Sequence, residues 1–289
     1  MAIESGERAA QTSSGPAPAA GAVPRAGRGR PLRRRAQNAL WPLLSVAAAL
    51  GLWELLTRTG VIPADYIPPM TDTLGRLGSL AATGSFWSTV GDTMRGWALG
   101  LGIAIAIAVP LGILLGSSRL AYRSFRLVIE FLRPMPSVAL IPLAVLVFGV
   151  GLQSKVFLAT FACVWPILIQ TLYGVADTDP VAMDTGRAFG LSRRERLLHI
   201  RLPSALPYIA TGVRISSAVA LILAVTAELI IGSPGLGQGI EKARQGAAYD
   251  LMYALIITTG ILGYLLNLVL SQVQRRVLGW HQSQRERVA

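Results

Sequence analysis

Apolar and charged positions fall in long separate blocks along this chain. After an Arg-rich stretch, an apolar block opens near Ala39 and closes at Glu54, Thr57 and Arg58, which predicts a first membrane span over about 39–57. Trp97–Gly116 runs 20 residues without a charge, and Val156–Val175 and Leu251–Val273 are also charge-free. Ile209–Ile231 carries only Arg214 near its start and Glu228 near its end. Leu127–Phe148 is apolar but opens with Glu130 and Arg133 and is interrupted by Pro134, Pro136 and Pro142. A helical span needs roughly 20 mostly apolar residues. The pattern therefore predicts an all-α, polytopic membrane protein with about six transmembrane helices and both termini on one side.

Composition agrees. The chain has 289 residues, of which 52% are hydrophobic and 15% charged, against about 25% charged in soluble domains. A net charge of +12 raises the question of nucleic acid, but the basic residues cluster between apolar blocks and form no stripe, so no nucleic-acid partner is expected. Such clusters mark the cytoplasmic side of a membrane protein. With both termini inside, the inner segments hold 19 basic residues and the outer segments six (Arg58, Arg76, Arg95, Lys155, Lys242 and Arg244). A multi-pass protein of the cell (inner or plasma) membrane with cytoplasmic termini follows. Residues 1–37, rich in Ala, Pro, Gly, Ser and Arg, read as a disordered basic cytoplasmic tail, and 38–289 as the membrane domain. A cleaved leader fits poorly, because the tail is long for one and the first apolar block ends without an A-x-A site.

The same composition excludes several chemistries. Lys155 and Lys242 are the only lysines and neither follows a glycine, so the Gly-Lys-Ser/Thr of a P-loop is absent. A single cysteine, Cys163, allows no intrachain disulfide. With two histidines, His199 and His281, a Cys/His zinc site is not expected. The reading is of a non-enzyme without cofactor or metal.

The connections carry more information. The outer segment 58–96 holds Pro63, Pro68 and Pro69 before a partly helical stretch. Gly232–Asp250 contains Ser233-Pro234-Gly235-Leu236-Gly237-Gln238-Gly239, which predicts a turn and not a helix. In 176–208, the longest inner connection, Asp179 is an N-cap and Pro180 the first helical residue. Helical spacing sets Val181, Thr185, Ala188 and Phe189 on one face, and Gly190 stops the helix. Ser192 and Glu195 form a capping box for a second short helix. Leu202-Pro203 should end it, and Pro207 should keep the chain turned before the next span. Two capped helices here fit either a docking element or an amphipathic loop lying on lipid headgroups, which five Arg favour.

Asp184-Thr185-Gly186, three residues, Gly190, nine residues, Ile200, one residue, Leu202-Pro203 resembles the cytoplasmic signature of ABC importer permeases: Glu-Ala-Ala, three residues, Gly, nine residues, Ile, one residue, Leu-Pro. Gly190, Ile200, Leu202 and Pro203 match in register, Asp184 is conservative, and Thr185 and Gly186 replace two alanines. The resemblance covers roughly 85–280. Phe131-Leu132-Arg133-Pro134-Met135-Pro136, Ile141-Pro142-Leu143, Phe148-Gly149-Val150-Gly151, Ala227-Glu228-Leu229, Gly235-Leu236-Gly237 and Trp280 resemble the sulfonate, taurine and nitrate branch. The resemblance implies a permease dimer bound to two cytoplasmic ABC ATPase subunits. An extracytoplasmic solute-binding protein would deliver a small polar or anionic solute. Residues 179–189 would be the coupling helix, and the path would run between the two permease copies.

Several polar positions inside spans remain open. Prolines leave carbonyls unpaired, and such backbone lies against protein or a cavity, so Pro134, Pro136 and Ser137 are either path residues or part of a structural kink. Ser216, Ser217 and Thr226 either line the path or bond to their own helix. Glu228 and Arg133 face protein or water, as solute contacts or interfacial ion pairs. The small residues Gly100, Gly102, Ala104, Ala106 and Ala108 read as helix-packing faces. The alternative, an ion-coupled secondary transporter, calls for midplane carboxylates, which the charge-free spans lack.

The charge asymmetry makes the topology testable. A reporter active only outside the cell, fused after Ala289, is expected to stay inactive; full activity would overturn the six-span reading.

Overall fold

A computed structural model describes residues 32–63 and 65–278, apart from the side chains of 32–40, 42 and 43. The chain divides at Leu50/Gly51 into two units. The described part of the first is the N-terminal length of helix α1 (Leu32–Arg58), which covers the predicted span 39–57 and starts inside the stretch read as tail. Trp280 and His281 lie outside the described residues.

The second unit begins with the last turns of α1. The Glu54 carboxylate accepts from the Thr71 backbone N–H at 3.1 Å and from its hydroxyl at 3.0 Å, satisfying donors that the first turn of α2 (Met70–Ala81) would otherwise leave unpaired. Next come α3 (Gly84–Ser117), α4 (Arg119–Leu132), a 3₁₀ turn over Ser137–Leu140, α5 (Ile141–Phe148), α6 (Leu152–Ala176), α7 (Pro180–Ala188) and α8 (Arg193–Arg196). A π turn over Leu197–Arg201 leads into α9 (Leu202–Ile231), followed by α10 (Leu236–Gln245) and α11 (Tyr249–Val277).

Among the described residues four helical stretches are long and apolar enough to cross a membrane: α3, α6, α8 running through α9, and α11. The third predicted span is not one rod. α4 and the 3₁₀–α5 segment meet at a bend of 85° and make a fifth crossing only together. Arg133-Pro134-Met135-Pro136 interrupts the hydrogen-bond ladder there, as paired prolines must. α1 overlaps the first predicted span and is only partly described, so the count stands at four to five.

Two readings of the connections are corrected. Leu202-Pro203 does not end a helix, because Arg193–Ile231 is continuous. The chain admits Pro203 by widening into a π turn in which the Leu202 N–H bonds to Leu197, relieving the clash that a proline ring makes with the carbonyl four residues back. Pro207 also lies inside a helix, α9, and Thr211 donates its hydroxyl to the Pro207 carbonyl at 2.8 Å. The glycine-rich segment is a turn only to Gly235; α10 starts at Leu236.

The core is a close stack of α3, α6 and α9. In lipid there is little hydrophobic drive between apolar helices, so close approach of small residues supplies the attraction. On α3 the contact row recurs every fourth residue: Gly96, Gly100, Ala104, Ala108, Gly112 and Gly116. A Cβ at Gly100 would stand 2.6 Å from the Ala159 Cβ, and one at Gly112 2.7 Å from the Thr171 Cβ. Ala104 and Ala108 are fully buried. Gly102 and Ala106, grouped with this face from sequence, are exposed on the other side; an α-helix repeats its faces at three or four residues, not two.

One buried ion pair ties this core to the glycine-rich turn after α9. Lys155 Nζ donates to Glu228 Oε1 at 2.7 Å, to the Asp92 carbonyl at 2.9 Å and to the Pro234 carbonyl at 3.0 Å. Glu228 Oε2 accepts from the Thr93 hydroxyl at 2.9 Å and the Gly237 N–H at 3.0 Å, and Thr93 Oγ1 in turn accepts the Leu236 N–H at 2.9 Å. Lys155 and Glu228 are 2% and 0% exposed, so Lys155 is no outer-loop charge, contrary to the sequence reading. Every Lys155 proton has an acceptor, the condition under which a buried pair is tolerated. The turn closes on it tightly: a Cβ at Gly235 would stand 2.1 Å from the Glu228 carboxyl, and one at Gly237 2.1 Å from the Val225 carbonyl.

Breaking such a pair costs about 3–5 kcal/mol, because it leaves a buried charge unpaired. Lys155→Met and Glu228→Gln are each expected to lower the apparent melting temperature in detergent markedly. The double variant should fall well short of the sum of the single losses. Additive losses would show that the two side chains act independently.

Candidate functional site

The connection between α6 and α9 is pinned at its base. The Tyr208 hydroxyl on α9 donates to Asp177 Oδ2 at 2.5 Å, and a Cβ at Gly174 would stand 2.7 Å from the Tyr208 Cβ. Asp179 Oδ1 accepts the Val181 N–H at 2.8 Å, and Pro180 opens α7. At the other end the Leu191 N–H bonds to the Gly186 carbonyl at 2.9 Å and the Gly190 N–H to Arg187 at 3.0 Å, with Gly190 at φ 76°. This double closure with a left-handed glycine is a Schellman motif. Ser192 and Glu195 then cap each other, at 2.8 and 3.2 Å.

These caps set which face of α7 turns inward. Gly186 is buried, and a Cβ there would come within 2.8 Å of Ile200 Cδ1. A glycine at 186 thus lets α7 lie directly against the π turn. Val181, Thr185, Ala188 and Phe189 are turned out, with Val181 69% and Phe189 82% exposed. Asp184 also lies on the exposed side and pairs with Arg187 at 2.6 Å. Leu202 and Pro203 are half-buried at the start of α9.

The candidate path residues divide into two groups. Pro134, Pro136 and Ser137 lie at the broken span, where two clefts adjoin. One of about 530 Å³ is lined by Arg133, Pro136, Ser137, Trp165, Gln170 and Val219, among others. The other, of about 470 Å³, is lined by Arg133, Pro134, Glu130, Tyr122 and α6 residues that include Ile169, which also lines the first. Ser216, Ser217 and Glu228 instead sit in the interior of the protomer. Ser216 donates to the Cys163 carbonyl at 2.9 Å, Ser217 accepts from Trp97 Nε1 at 3.3 Å, and Glu228 is held by Lys155. Thr226 is half-buried on α9 and lines neither cleft.

Sequence reasoning missed Lys155 and Thr93 as structural partners of Glu228. The available signal was a lone lysine at the head of a charge-free block in a chain whose other cations, Lys242 apart, are arginines. Nothing in the sequence spacing of 155 and 228 indicates that they meet.

Against known proteins, residues 108–279 match the family described as binding-protein-dependent transport system inner membrane component. The taurine transport system permease protein TauC of Escherichia coli (strain K12) is 33% identical over 254 residues, spanning 83% of this chain and 92% of that protein. The nitrate import permease protein NrtB of Leptolyngbya laminosa is 28% identical over 256 residues, 86% of this chain and 90% of the other. Among solved structures, an inward-facing form of the MetNI methionine ABC transporter superposes with a TM-score of 0.60 at 20% identity over 67% of this chain and 96% of that one, a likeness of fold. The chain is a multi-pass inner membrane protein, and it belongs to the binding-protein-dependent transport system inner membrane components, the permeases of ATP-driven importers.

Proposed function

We propose that this permease forms a dimer whose two copies of α7 seat in a pair of cytoplasmic ATPase subunits, and that it passes an oxyanion-bearing solute handed over by an external binding protein. The solute class is of the taurine, sulfonate or nitrate type. The observation that carries the coupling role is the outward face of α7. Two large apolar side chains, Val181 and Phe189, stand uncovered on a short helix fixed at both ends, and exposed apolar surface of this kind marks an interaction site. The basic residues around it support a position on the inner side of the membrane, where an ATPase would supply the P-loop that this sequence lacks. ATP and loaded binding protein would each favour one of two arrangements of the spans and shift the population toward it.

Two measurements test this. The purified chain is expected to show no ATP hydrolysis alone and to assemble with its ATPase as two copies of each; a stable complex with one permease copy would contradict the dimeric path.

The second concerns the cap. Nothing lies within 4 Å of a Cβ at Gly190, so the only obstacle to a side chain is its φ of 76°. There a β-branched residue costs about 1–2 kcal/mol, while asparagine is tolerated. Gly190→Val is expected to leave membrane insertion normal, reduce co-purification of the ATPase and abolish transport, with Gly190→Asn close to wild type. Equal ATPase recovery and uptake for Gly190→Val would assign the loop to the lipid surface.

A further inference from the structure

Arg133 is a cation within the apolar block that the third crossing comprises, yet its guanidinium forms no ion pair or hydrogen bond among the described residues. The nearest carboxylate along the helix, Glu130, is engaged by Arg126 at 2.7 Å. Arg133 sits at the end of α4, where the ladder breaks, and lines both clefts. The larger cleft brings it together with Ser137, Trp165 and Gln170. The Trp165 indole Nε1 is buried without a partner, and the Ser137 hydroxyl and Gln170 amide likewise make no hydrogen bond to the described protein. No carboxylate lines that cleft. Trp165 and Gln170 come from the middle of α6 and Val219 from the middle of α9, so the cleft lies within the spans. An unpaired ionisable group inside a membrane segment marks a functional site by default, and here the Ser137 hydroxyl and the Gln170 amide line the same cleft.

Arginine presents a planar fork of N–H groups that meets two oxygens of a trigonal or tetrahedral oxyanion at once. The Ser137 hydroxyl and the Gln170 amide add further donors, and Trp165 supplies part of the wall. A cleft that sets such donors beside one exposed, unpaired cation selects for a delocalised negative head group and against a cation. We propose that Arg133, with Ser137, Trp165 and Gln170, forms an oxyanion-binding site in the translocation path that takes the sulfonate or nitrate end of the solute. The site rests on the solute class proposed above and adds the residues that recognise it. The amine or alkyl end of a sulfonate would lie along the apolar lining formed by Ile215, Val219 and Leu223.

The test reads the charge preference of the cleft directly, in permease co-purified with its ATPase. The native cysteine, Cys163, is fully buried, so a thiol introduced by Ser137→Cys, or independently by Gln170→Cys, reports on the cleft. Labelling with 2-sulfonatoethyl methanethiosulfonate is expected to outpace labelling with the trimethylammonioethyl reagent by about tenfold, the effect of one close charge at intermediate dielectric. Adding Arg133→Gln should remove the preference, Arg133→Lys should keep it in part, and ethanesulfonate should protect the thiol. Equal rates for the two reagents, a ratio unmoved by Arg133→Gln, or thiols unreactive at both positions would overturn the site. Protection by phosphatidylglycerol and not by ethanesulfonate would overturn it in favour of a lipid phosphate. Uptake of taurine, ethanesulfonate and nitrate by the assembled transporter tests the solute class separately. An anion-preferring cleft in a transporter that takes up none of the three would uphold the site and remove those solutes.

Discussion

The Lys155–Glu228 pair is the interaction on which the arrangement of the spans depends. Isolated in an apolar core, either charge would be strongly unfavourable. Together they are held by the Asp92 carbonyl, the Thr93 hydroxyl, the Gly237 N–H and the Pro234 carbonyl. Those partners come from α3, the turn after α9 and α10, and the pair itself joins α6 to α9. The carboxylate also meets the N-terminal turn of α10, where unpaired N–H groups favour negative charge. One pair therefore fixes the register of three spanning helices and the return of the chain above them. It also explains why Gly235 and Gly237 surround Leu236: a side chain at either would collide with α9 or the carboxylate itself.

Below that point the spans are held by proximity. The four-residue row of small side chains on α3 brings its backbone against α6, and Gly212 on α9 does the same against Gln170 and Ile167. The hydroxyl and thiol groups in this core are used up locally, as between Cys163 and Ser216 across α6 and α9. The α4–α5 break is the exception. There the ladder is interrupted, the bend is sharp and polar side chains are left unpaired along a cleft. The contrast separates an internally satisfied core from a wall whose polar side chains make no hydrogen bond to the described protein.

The connection between α6 and α9 applies a second kind of constraint. Its ends are tied by Tyr208 and Asp177, and its helix is closed by Asp179 and by the Schellman motif at Gly190. The inward side is filled by Gly186 against Ile200. A short helix cannot hold its own shape in water; this one is held by its caps and by the π turn beneath it, which leaves its apolar outer face uncovered at a fixed place relative to α6 and α9. A force applied to α7 would thus pass directly into two spans.

The sequence alone determined the class of the molecule, the approximate position of the apolar crossings, the caps at Asp179, Gly190 and Ser192, and the family resemblance, because hydropathy blocks and capping chemistry are local and written in consecutive residues. It misjudged Leu202-Pro203 and Pro207, since whether a proline ends a helix or is absorbed by a π turn depends on what the neighbouring turns can give way to. It read the small residues of α3 at the wrong spacing, because several small positions look alike until a second helix selects one row of them. Above all it placed Lys155 in an outer loop and left Glu228 without a partner. Their sequence separation is 73 residues, and the free energy that makes them a pair arises only when folding removes both from water.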